Sequence, residues 1–135
     1  MVPETALERL ERHRKRGQLL LDFHDERKLG KIKRHFPISK NDILLDAGCG
    51  PGFRTLEAAP LCSRVVALDL SEFSLGLLGR KLLTRAPLRA KIDLVLADLE
   101  HMPFIDSSFT RVVCTDVLEH IVHDHETVRE LKRIL

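Results

Sequence analysis

Four aspartates stand at or just after the ends of short apolar runs, at positions Asp46, Asp69, Asp98 and Asp116. The runs do not alternate with polar residues, which is typical of strands buried on both faces of a parallel sheet. Such sheets bind ligands outside the carboxyl ends of their strands. We therefore expect the four carboxylates at one rim, where they favour a positively charged ligand. Taken singly, each could instead be a turn or helix-capping residue.

A glycine-rich segment, Asp46-Ala-Gly-Cys-Gly-Pro-Gly52, joins the first apolar run to a predicted helix over 53–59. Glycine lets a ligand approach the main chain closely, and the N–H groups that open a helix favour an anionic group. The dinucleotide fingerprint is absent, because its third glycine would fall at Phe53. The phosphate-binding loop is also absent, because no Gly-Lys-Ser/Thr follows.

The four apolar runs cover residues 43–47, 64–69, 92–97 and 111–115, and helical patterns lie between them. This alternation predicts an α/β fold, a Rossmann-like parallel sheet with helices on both faces. A leucine-rich helix is predicted after Ser71, a candidate N-cap, and a last helix over 126–135.

Residues 1–40 are basic, with 11 Lys/Arg against 6 Asp/Glu, whereas residues 41–135 hold 11 against 14. Helices are predicted over 4–16 and 18–36, and a turn-rich connector follows Pro37. We therefore predict a basic helical arm, 1–40, and a ligand-binding domain, 41–135. The arm could contact a membrane surface or an anionic acceptor. We expect the arm not to bind nucleic acid, because its basic residues alternate with Glu and Asp.

The length of 135 residues suits one domain. The sequence has three cysteines, and no two of them form a C-x-x-C pair: Cys49, Cys62 and Cys114. We therefore predict buried, reduced thiols rather than a disulfide framework or a zinc site. No apolar run approaches the roughly 20 residues that span a bilayer, and the N-terminus lacks the apolar segment of a signal peptide. A cytoplasmic protein is expected.

The segment 43–52 resembles motif I of the class I S-adenosylmethionine-dependent methyltransferases. The similarity covers about residues 41–135. Within the family the sequence is most similar to the small-molecule, lipid and quinone branch that carries a Val-Leu-Glu-His segment. The further matching segments, in order, are Val65-Val-Ala-Leu-Asp-Leu-Ser71, Ala97-Asp-Leu-Glu-His-Met-Pro-Phe104, Ser107-Ser-Phe109, Val117-Leu-Glu-His-Ile121 and Leu131-Lys-Arg-Ile-Leu135.

The resemblance implies S-adenosylmethionine as the cofactor and in-line methyl transfer to a small-molecule or lipid acceptor. It places the loop around the methionine part of the cofactor, Asp46 near the ammonium group and Asp69 at the ribose. Asp98 and the main chain of Leu99 would hold the adenine. The cofactor-binding residues implied in this way are Asp46, Gly48, Cys49, Gly50, Gly52, Asp69, Leu70, Asp98, Leu99 and Thr115.

His120 is the candidate general base, with His123 and Glu119 as alternatives. The other interpretation of Glu119-His120 is a structural or cofactor-proximal feature. Asp116, Glu119 and His120 would share one helical turn and carry ligand types that suit a divalent metal. Because a further ligand is missing from the sequence, we expect no metal.

Members of the family continue beyond such a last helix into further strands. This sequence predicts four, in the order 3-2-1-4, so we expect a truncated domain whose fourth strand, 111–115, is an open edge able to self-associate. It would be either the cofactor half of a methyltransferase or a non-catalytic module that binds the cofactor or a partner. At Thr110-Arg111 the sequence departs from the acidic residue that relatives place there, which puts the local packing in question.

Overall fold

A computed structural model describes residues 19–22, 36–115, 117–118 and 121–135. Within these residues there are five strands: β1 Leu19–Asp22, β2 Ile43–Ala47, β3 Arg64–Asp69, β4 Ile92–Leu96 and β5 Arg111–Thr115. The helices of the same residues are α1 Phe53–Ala58, α2 Glu72–Leu82, α3 Ala86–Arg89 and α4 Asp124–Ile134. A short 3-10 helix, Ala59–Leu61, extends α1.

The strands form one parallel sheet in the order β1-β5-β2-β3-β4. Chain neighbours β2, β3 and β4 lie side by side, and the chain then crosses back to place β5 on the other side of β2. The predicted parallel α/β sheet, with its order of four strands, is confirmed. The topological switch point lies at β2, where ligands of such sheets bind.

The strand β1 lies where a helix was predicted. Its backbone runs parallel to β5, from Leu19 opposite Val112 to Asp22 opposite Thr115. A short apolar run such as Leu19-Leu-Leu fits a helix or a strand, and the free edge of β5 supplies partners for the strand. The helix predicted over 18–36 is therefore wrong at 19–22, and so is the open edge predicted at the fourth strand.

The remainder of residues 18–36, apart from Phe36, and the helix predicted over 4–16 lie outside the described residues. Phe36 is buried in the core. The domain boundary after residue 40 stays a prediction, although the sheet takes one strand from the region assigned to the arm.

Helices cover both faces of the sheet, which explains why the strand sequences are continuously apolar. Alternate residues of β2 point to opposite faces, so that Leu44 and Leu45 enter different cores. The first core packs α1 and α2 against the sheet and includes Ala58, Val65, Leu75, Leu78, Leu82 and Ile92. The second packs α4 against the other face and includes Val112, Cys114, Val128, Leu131 and Ile134.

The helix α4 begins two residues earlier than predicted, at Asp124. Its last turn is attached to the segment between β4 and β5 through Arg133. This guanidinium contacts the Glu130 carboxylate (Nε to Oε1, 2.7 Å), the Asp106 carboxylate (3.0 Å) and the Met102 carbonyl (3.1 Å). Glu130 in turn accepts the Met102 N–H at 2.8 Å. The long connection to β5 is thus held by side chains of α4.

At the amino end of the sheet, Asp42 organises a polar network. Its two carboxylate oxygens accept the Ser39 N–H (2.6 Å) and the Thr110 hydroxyl (2.8 Å), and an Arg111 nitrogen lies 3.6 Å away. Burial raises the pKa of Asp42, but these hydrogen bonds and the Arg111 charge outweigh burial and hold the pKa below its usual value. The unusual Thr110-Arg111 pair is therefore accounted for by a buried carboxylate of this chain.

All three cysteines are buried and free, as predicted. Within the described residues, no helix has the length and apolar character needed to cross a bilayer.

Candidate functional site

The glycine loop, residues 48–52, follows β2 at the switch point of the sheet. Its three glycines have positive φ, at +75° for Gly48, +53° for Gly50 and +90° for Gly52. A Cβ at Gly48 would lie 2.3 Å from a methyl carbon of Val117, and one at Gly52 would lie 2.3 Å from a methyl carbon of Leu78. The fold itself therefore requires Gly48 and Gly52.

Gly50 differs from the other two, because a Cβ built there meets no atom of the described residues within 4 Å. Its main chain faces open space beside the carboxyl ends of the strands. Close approach of a ligand to the loop is therefore possible at Gly50.

The N–H groups of the loop donate within the chain. Those of Gly48 and Cys49 donate to the Leu68 carbonyl, at 2.8 and 2.9 Å. That of Gly52 donates to the Cys49 carbonyl at 3.0 Å, and that of Gly50 to Asp69 Oδ2 at 2.8 Å. The sequence predicted that N–H groups of the loop would bind an anionic ligand. These four N–H groups are instead already hydrogen-bonded within the chain.

Asp69 ends β3 and fixes the loop to the next strand. Its Oδ2 accepts the Gly50 N–H, and its Oδ1 accepts the Ser71 N–H at 2.8 Å. A carboxylate has about four acceptor positions, so each oxygen can still accept a second donor. The neighbouring Leu70 side chain is 72% exposed, which leaves an apolar surface free beside this carboxylate.

Asp46 lies in β2 and is 1% exposed. Its Oδ2 accepts the Thr55 hydroxyl at 2.6 Å, and the Thr55 N–H also bonds to this carboxylate. Burial raises the pKa of Asp46 to about 6; the Thr55 hydrogen bonds and the Arg54 charge oppose the rise, and the nearby Asp69 charge adds to it. Asp46 thus accepts hydrogen bonds from Thr55 in the first turn of α1. Its carboxylate is also the second one in this region, close to that of Asp69.

Cys49 lies close enough to both carboxylates to feel their charges. Burial raises the pKa of its thiol well above the usual value, and the charges of Asp46 and Asp69 raise the pKa further. Burial and the two carboxylates therefore favour the neutral thiol over a nucleophilic thiolate at this position.

The third predicted carboxylate, Asp98, is exposed on the turn after β4. Its Oδ1 accepts the Glu100 N–H at 2.9 Å, and the preceding Ala97 N–H donates to the Asp69 carbonyl at 3.1 Å. The Leu99 side chain is buried in the core. The structure therefore brings the adenine-binding candidates next to the end of β3.

Ligand atoms of Asp98, Glu100 and His101 lie within 4.8 Å of one another. No pattern in the sequence predicts this group. It lies on a partly exposed turn, where acidic groups commonly occur without a metal, so the group by itself defines no site.

Thr115 ends β5 at the same rim, and Val117 brings the following segment against Gly48. Asp116, Glu119 and His120 lie outside the described residues. Their predicted roles, including that of His120 as general base, stay predictions. The alternative base His123 is exposed immediately before α4.

Sequence reasoning missed Lys81, which joins the glycine loop to α2. Its Nζ donates to the Pro51 carbonyl at 2.9 Å and lies 4.5 Å from the centre of the Phe53 ring. A lysine late in a leucine-rich helix carries no sequence signal for such a contact, since the packing of α2 beside the loop creates it.

The site fits S-adenosylmethionine better than a dinucleotide. The loop uses its own N–H groups internally, so it offers few donors to a pyrophosphate. Its rim holds the carboxylates of Asp46 and Asp69, which attract the ammonium and sulfonium groups of the methyl donor and repel phosphates. The space at Gly50 admits a ligand beside Asp69.

Comparison with known proteins agrees with this chemistry. The chain is 36% identical over 94 residues to malonyl-[acyl-carrier protein] O-methyltransferase of Legionella pneumophila, covering 68% of this chain and 32% of that protein. It is 30% identical over 116 residues to demethylmenaquinone methyltransferase of Corynebacterium urealyticum, covering 85% and 46%. The chain therefore spans less than half of the length of these two relatives.

The crystal structure of a SAM-dependent methyltransferase from Aquifex aeolicus has the same fold, with a TM-score of 0.70 at 18% identity. The match covers 82% of this chain and 62% of that one. Residues 45–135 match the family described as methyltransferase domain. The chain belongs to this methyltransferase family, and the prediction of S-adenosylmethionine as the family's cofactor is confirmed.

Proposed function

We propose that this chain is the cofactor-binding part of an enzyme that transfers a methyl group from S-adenosylmethionine to a small-molecule or lipid acceptor. The observation that carries the proposal is the Asp69 carboxylate at the accessible main chain of Gly50, with the buried carboxylate of Asp46 close to Asp69. The bound cofactor supplies an electrophilic methyl group on a positively charged sulfur.

The protein would bind the nucleoside part through two strand ends. Each oxygen of Asp69 already accepts one backbone N–H, and the remaining acceptor positions suit the two ribose hydroxyls. Asp98 accepts the exocyclic amine of adenine, and the Leu99 main chain contacts the ring. The exposed Leu70 side chain lies where it can cover the nucleoside.

The protein would bind the methionine part through charge and close approach. Ionised Asp46 attracts the ammonium group, while Gly48, Cys49, Gly50 and Gly52 shape the loop around the chain of the ligand. Thr115 lies at the rim beside the sulfonium. Orientation of the acceptor against this centre can supply up to about 7–11 kcal/mol of the barrier.

The names of the relatives support the acceptor class, since one acts on malonyl-[acyl-carrier protein] and another on demethylmenaquinone. His120 is the proposed general base for an acceptor that must lose a proton. Membrane contact stays a prediction, because the basic residues on which it depends lie outside the described residues.

Isothermal titration calorimetry with S-adenosylmethionine, S-adenosylhomocysteine and NAD tests the proposal. We expect binding of the first two and none of NAD. Asp69→Ala removes the ribose acceptor, and Gly50→Ala places a methyl group in the ligand space; each should weaken binding at least tenfold. Asp93→Ala, which removes a carboxylate of β4 that pairs with Arg64, is the matched control and should bind normally.

Binding of NAD instead of the methyl donor would overturn the proposal. A methyl-transfer assay with quinone and acyl-carrier acceptors then tests catalysis. Because the chain spans less than half of these relatives, binding without transfer would assign it the alternative role of a non-catalytic cofactor-binding module.

A further inference from the structure

The strand β4 is the edge of the sheet opposite β1. The Val65 N–H donates to the Lys91 carbonyl and the Ala97 N–H donates to the Asp69 carbonyl. In a parallel pair the N–H and C=O of one residue point the same way and alternate along the strand. The backbone groups of Ile92, Leu94 and Leu96 therefore point away from β3, along the outer edge.

The side chains on this edge are apolar and exposed. Leu94 is 39% exposed and Leu96 is 56% exposed, whereas natural edge strands commonly carry charges that block pairing. Leu83, at the end of the neighbouring helix α2, is 68% exposed. Backbone donors, backbone acceptors and apolar side chains together make a surface that an added strand would complete.

One glycine of α2 borders this edge. A Cβ at Gly79 would lie 3.6 Å from Leu94 Cδ1. Glycine inside a helix costs about 1 kcal/mol relative to alanine. At Gly79 the missing side chain leaves room for the Leu94 side chain beside α2.

We propose that a second copy of this chain occupies this surface, with the two β4 strands paired antiparallel about Leu94. Leu94 of one copy then lies opposite Leu94 of the other, and Ile92 lies opposite Leu96. The three outward residues of each strand exchange backbone hydrogen bonds with their counterparts. Two five-stranded sheets thereby become one continuous sheet with a closed two-fold interface.

Charge along β4 favours the antiparallel arrangement. Arg85 and Arg89 precede the strand, and Asp98 and Glu100 follow it. Antiparallel pairing places the basic start of one strand beside the acidic end of the other. A parallel arrangement would set like charges together at both ends.

The α2 helices leave room for this pairing. Each lies above β3 and β4, where Leu75, Leu78 and Leu82 share a core with strand residues. With strands about 4.8 Å apart, a helix midway above β3 and β4 lies about 5 Å from the two-fold axis, so the two α2 helices would run about 10 Å apart and would not clash.

Sedimentation equilibrium of the full chain tests the proposal. We expect a dimer, and we expect Leu94→Lys to weaken its association by at least a hundredfold, because it places two like charges at the two-fold axis. Ile105→Lys changes an apolar side chain that is 82% exposed outside this surface, and it should leave the dimer intact. A monomeric native chain, or a dimer unaffected by Leu94→Lys, would overturn the proposal.

Charge exchange and a cross-link test the register. Arg89→Glu and Glu100→Arg should each weaken the dimer roughly tenfold, and the double variant should restore it, because the two residues lie at opposite ends of the paired strands. Oxidation of Leu94→Cys should give a covalent dimer, since directly opposed residues lie within disulfide reach. Ile105→Cys is the control for random oxidation, and the native cysteines are buried. Equal cross-linking of the two variants would contradict the register.

Discussion

Two buried aspartates stand four residues apart at opposite ends of β2, and their surroundings differ. Asp42, 5% exposed, binds Ser39 and Thr110 and lies beside the cation of Arg111, so its pKa is lowered. Burial raises the pKa of Asp46, 1% exposed, to about 6; the Thr55 hydrogen bonds and the Arg54 charge oppose the rise only in part, and the Asp69 charge adds to it.

The difference separates a structural end of the sheet from a ligand-binding end. At the amino end, the chain supplies the cation that a buried carboxylate needs. At the carboxyl end, Asp46 accepts the neutral donors of Thr55, and the Arg54 charge offsets only part of the cost of its burial, so a cationic ligand would improve the balance of charge. The same residue type therefore stabilises the fold at one position and favours binding at the other.

The largest expected effect is at the structural end. Asp42→Asn should lower the free energy of unfolding by about 2–4 kcal/mol at pH 7, because it removes charge-assisted hydrogen bonds from a buried network. Urea denaturation measures this change. The lowered pKa means that the stabilisation exists above the unfolded value of 3.8 and is lost as pH falls through the folded value.

The variant and the native chain should therefore converge in stability in acid. Asp93→Asn, which alters an ion pair exposed at the surface, should cost less than about 1 kcal/mol. An equal loss of unfolding free energy in Asp42→Asn and Asp93→Asn would contradict the structural role assigned to Asp42.

Asp46→Asn should act in the opposite direction and raise the free energy of unfolding at pH 8 by about 1–3 kcal/mol. The folded pKa of about 6 lies above the ordinary 3.8. Stability from this group is fully present below pH 3.8 and is lost as pH rises through 6. The advantage of the amide should therefore appear above pH 6 and be absent near pH 4. A loss of stability at pH 8 would contradict the assignment.

Cofactor affinity should show the reverse pH dependence. As pH falls through about 6, Asp46 gains a proton and ceases to attract a cationic ligand. Calorimetry should show S-adenosylmethionine binding about tenfold weaker at pH 5 than at pH 7. Asp46→Asn should bind weakly at both values. A native affinity independent of pH would remove Asp46 from the site.

The smallest effects concern the two hydroxyls. Thr55→Val and Thr110→Val should each lower the free energy of unfolding by about 1 kcal/mol, because each removes one hydrogen bond to an aspartate. Only Thr55→Val should move the pH dependence of cofactor affinity to higher pH, and Thr55→Ser should restore it. A shift with Thr110→Val would show that the two ends are not independent.

The sequence predicted the sheet well because strands buried on both faces leave continuous apolar runs. The ends of 43–47, 64–69 and 111–115 agree with the structure, and Asp46 and Asp69 lie at the expected rim. The strand β1 could not be assigned, because three leucines satisfy a helix as well as a strand until β5 is in place.

Long-range partners were equally hidden. Thr110 bonds Asp42 across 68 residues of sequence, and Thr55 reaches Asp46 only because α1 packs on the same face of β2. Such pairs depend on register and packing, which no local pattern in the sequence encodes.

The glycine loop is attached at three points: to β3 through the Leu68 carbonyl, to Asp69 through the Gly50 N–H, and to α2 through Lys81 and the Pro51 carbonyl. Its main chain is thereby preorganised. Fixing a residue costs about 1–2 kcal/mol of conformational entropy, and here that cost falls on folding rather than on association. A ligand that enters at Gly50 meets a loop already in shape, so its affinity is set by contact and charge.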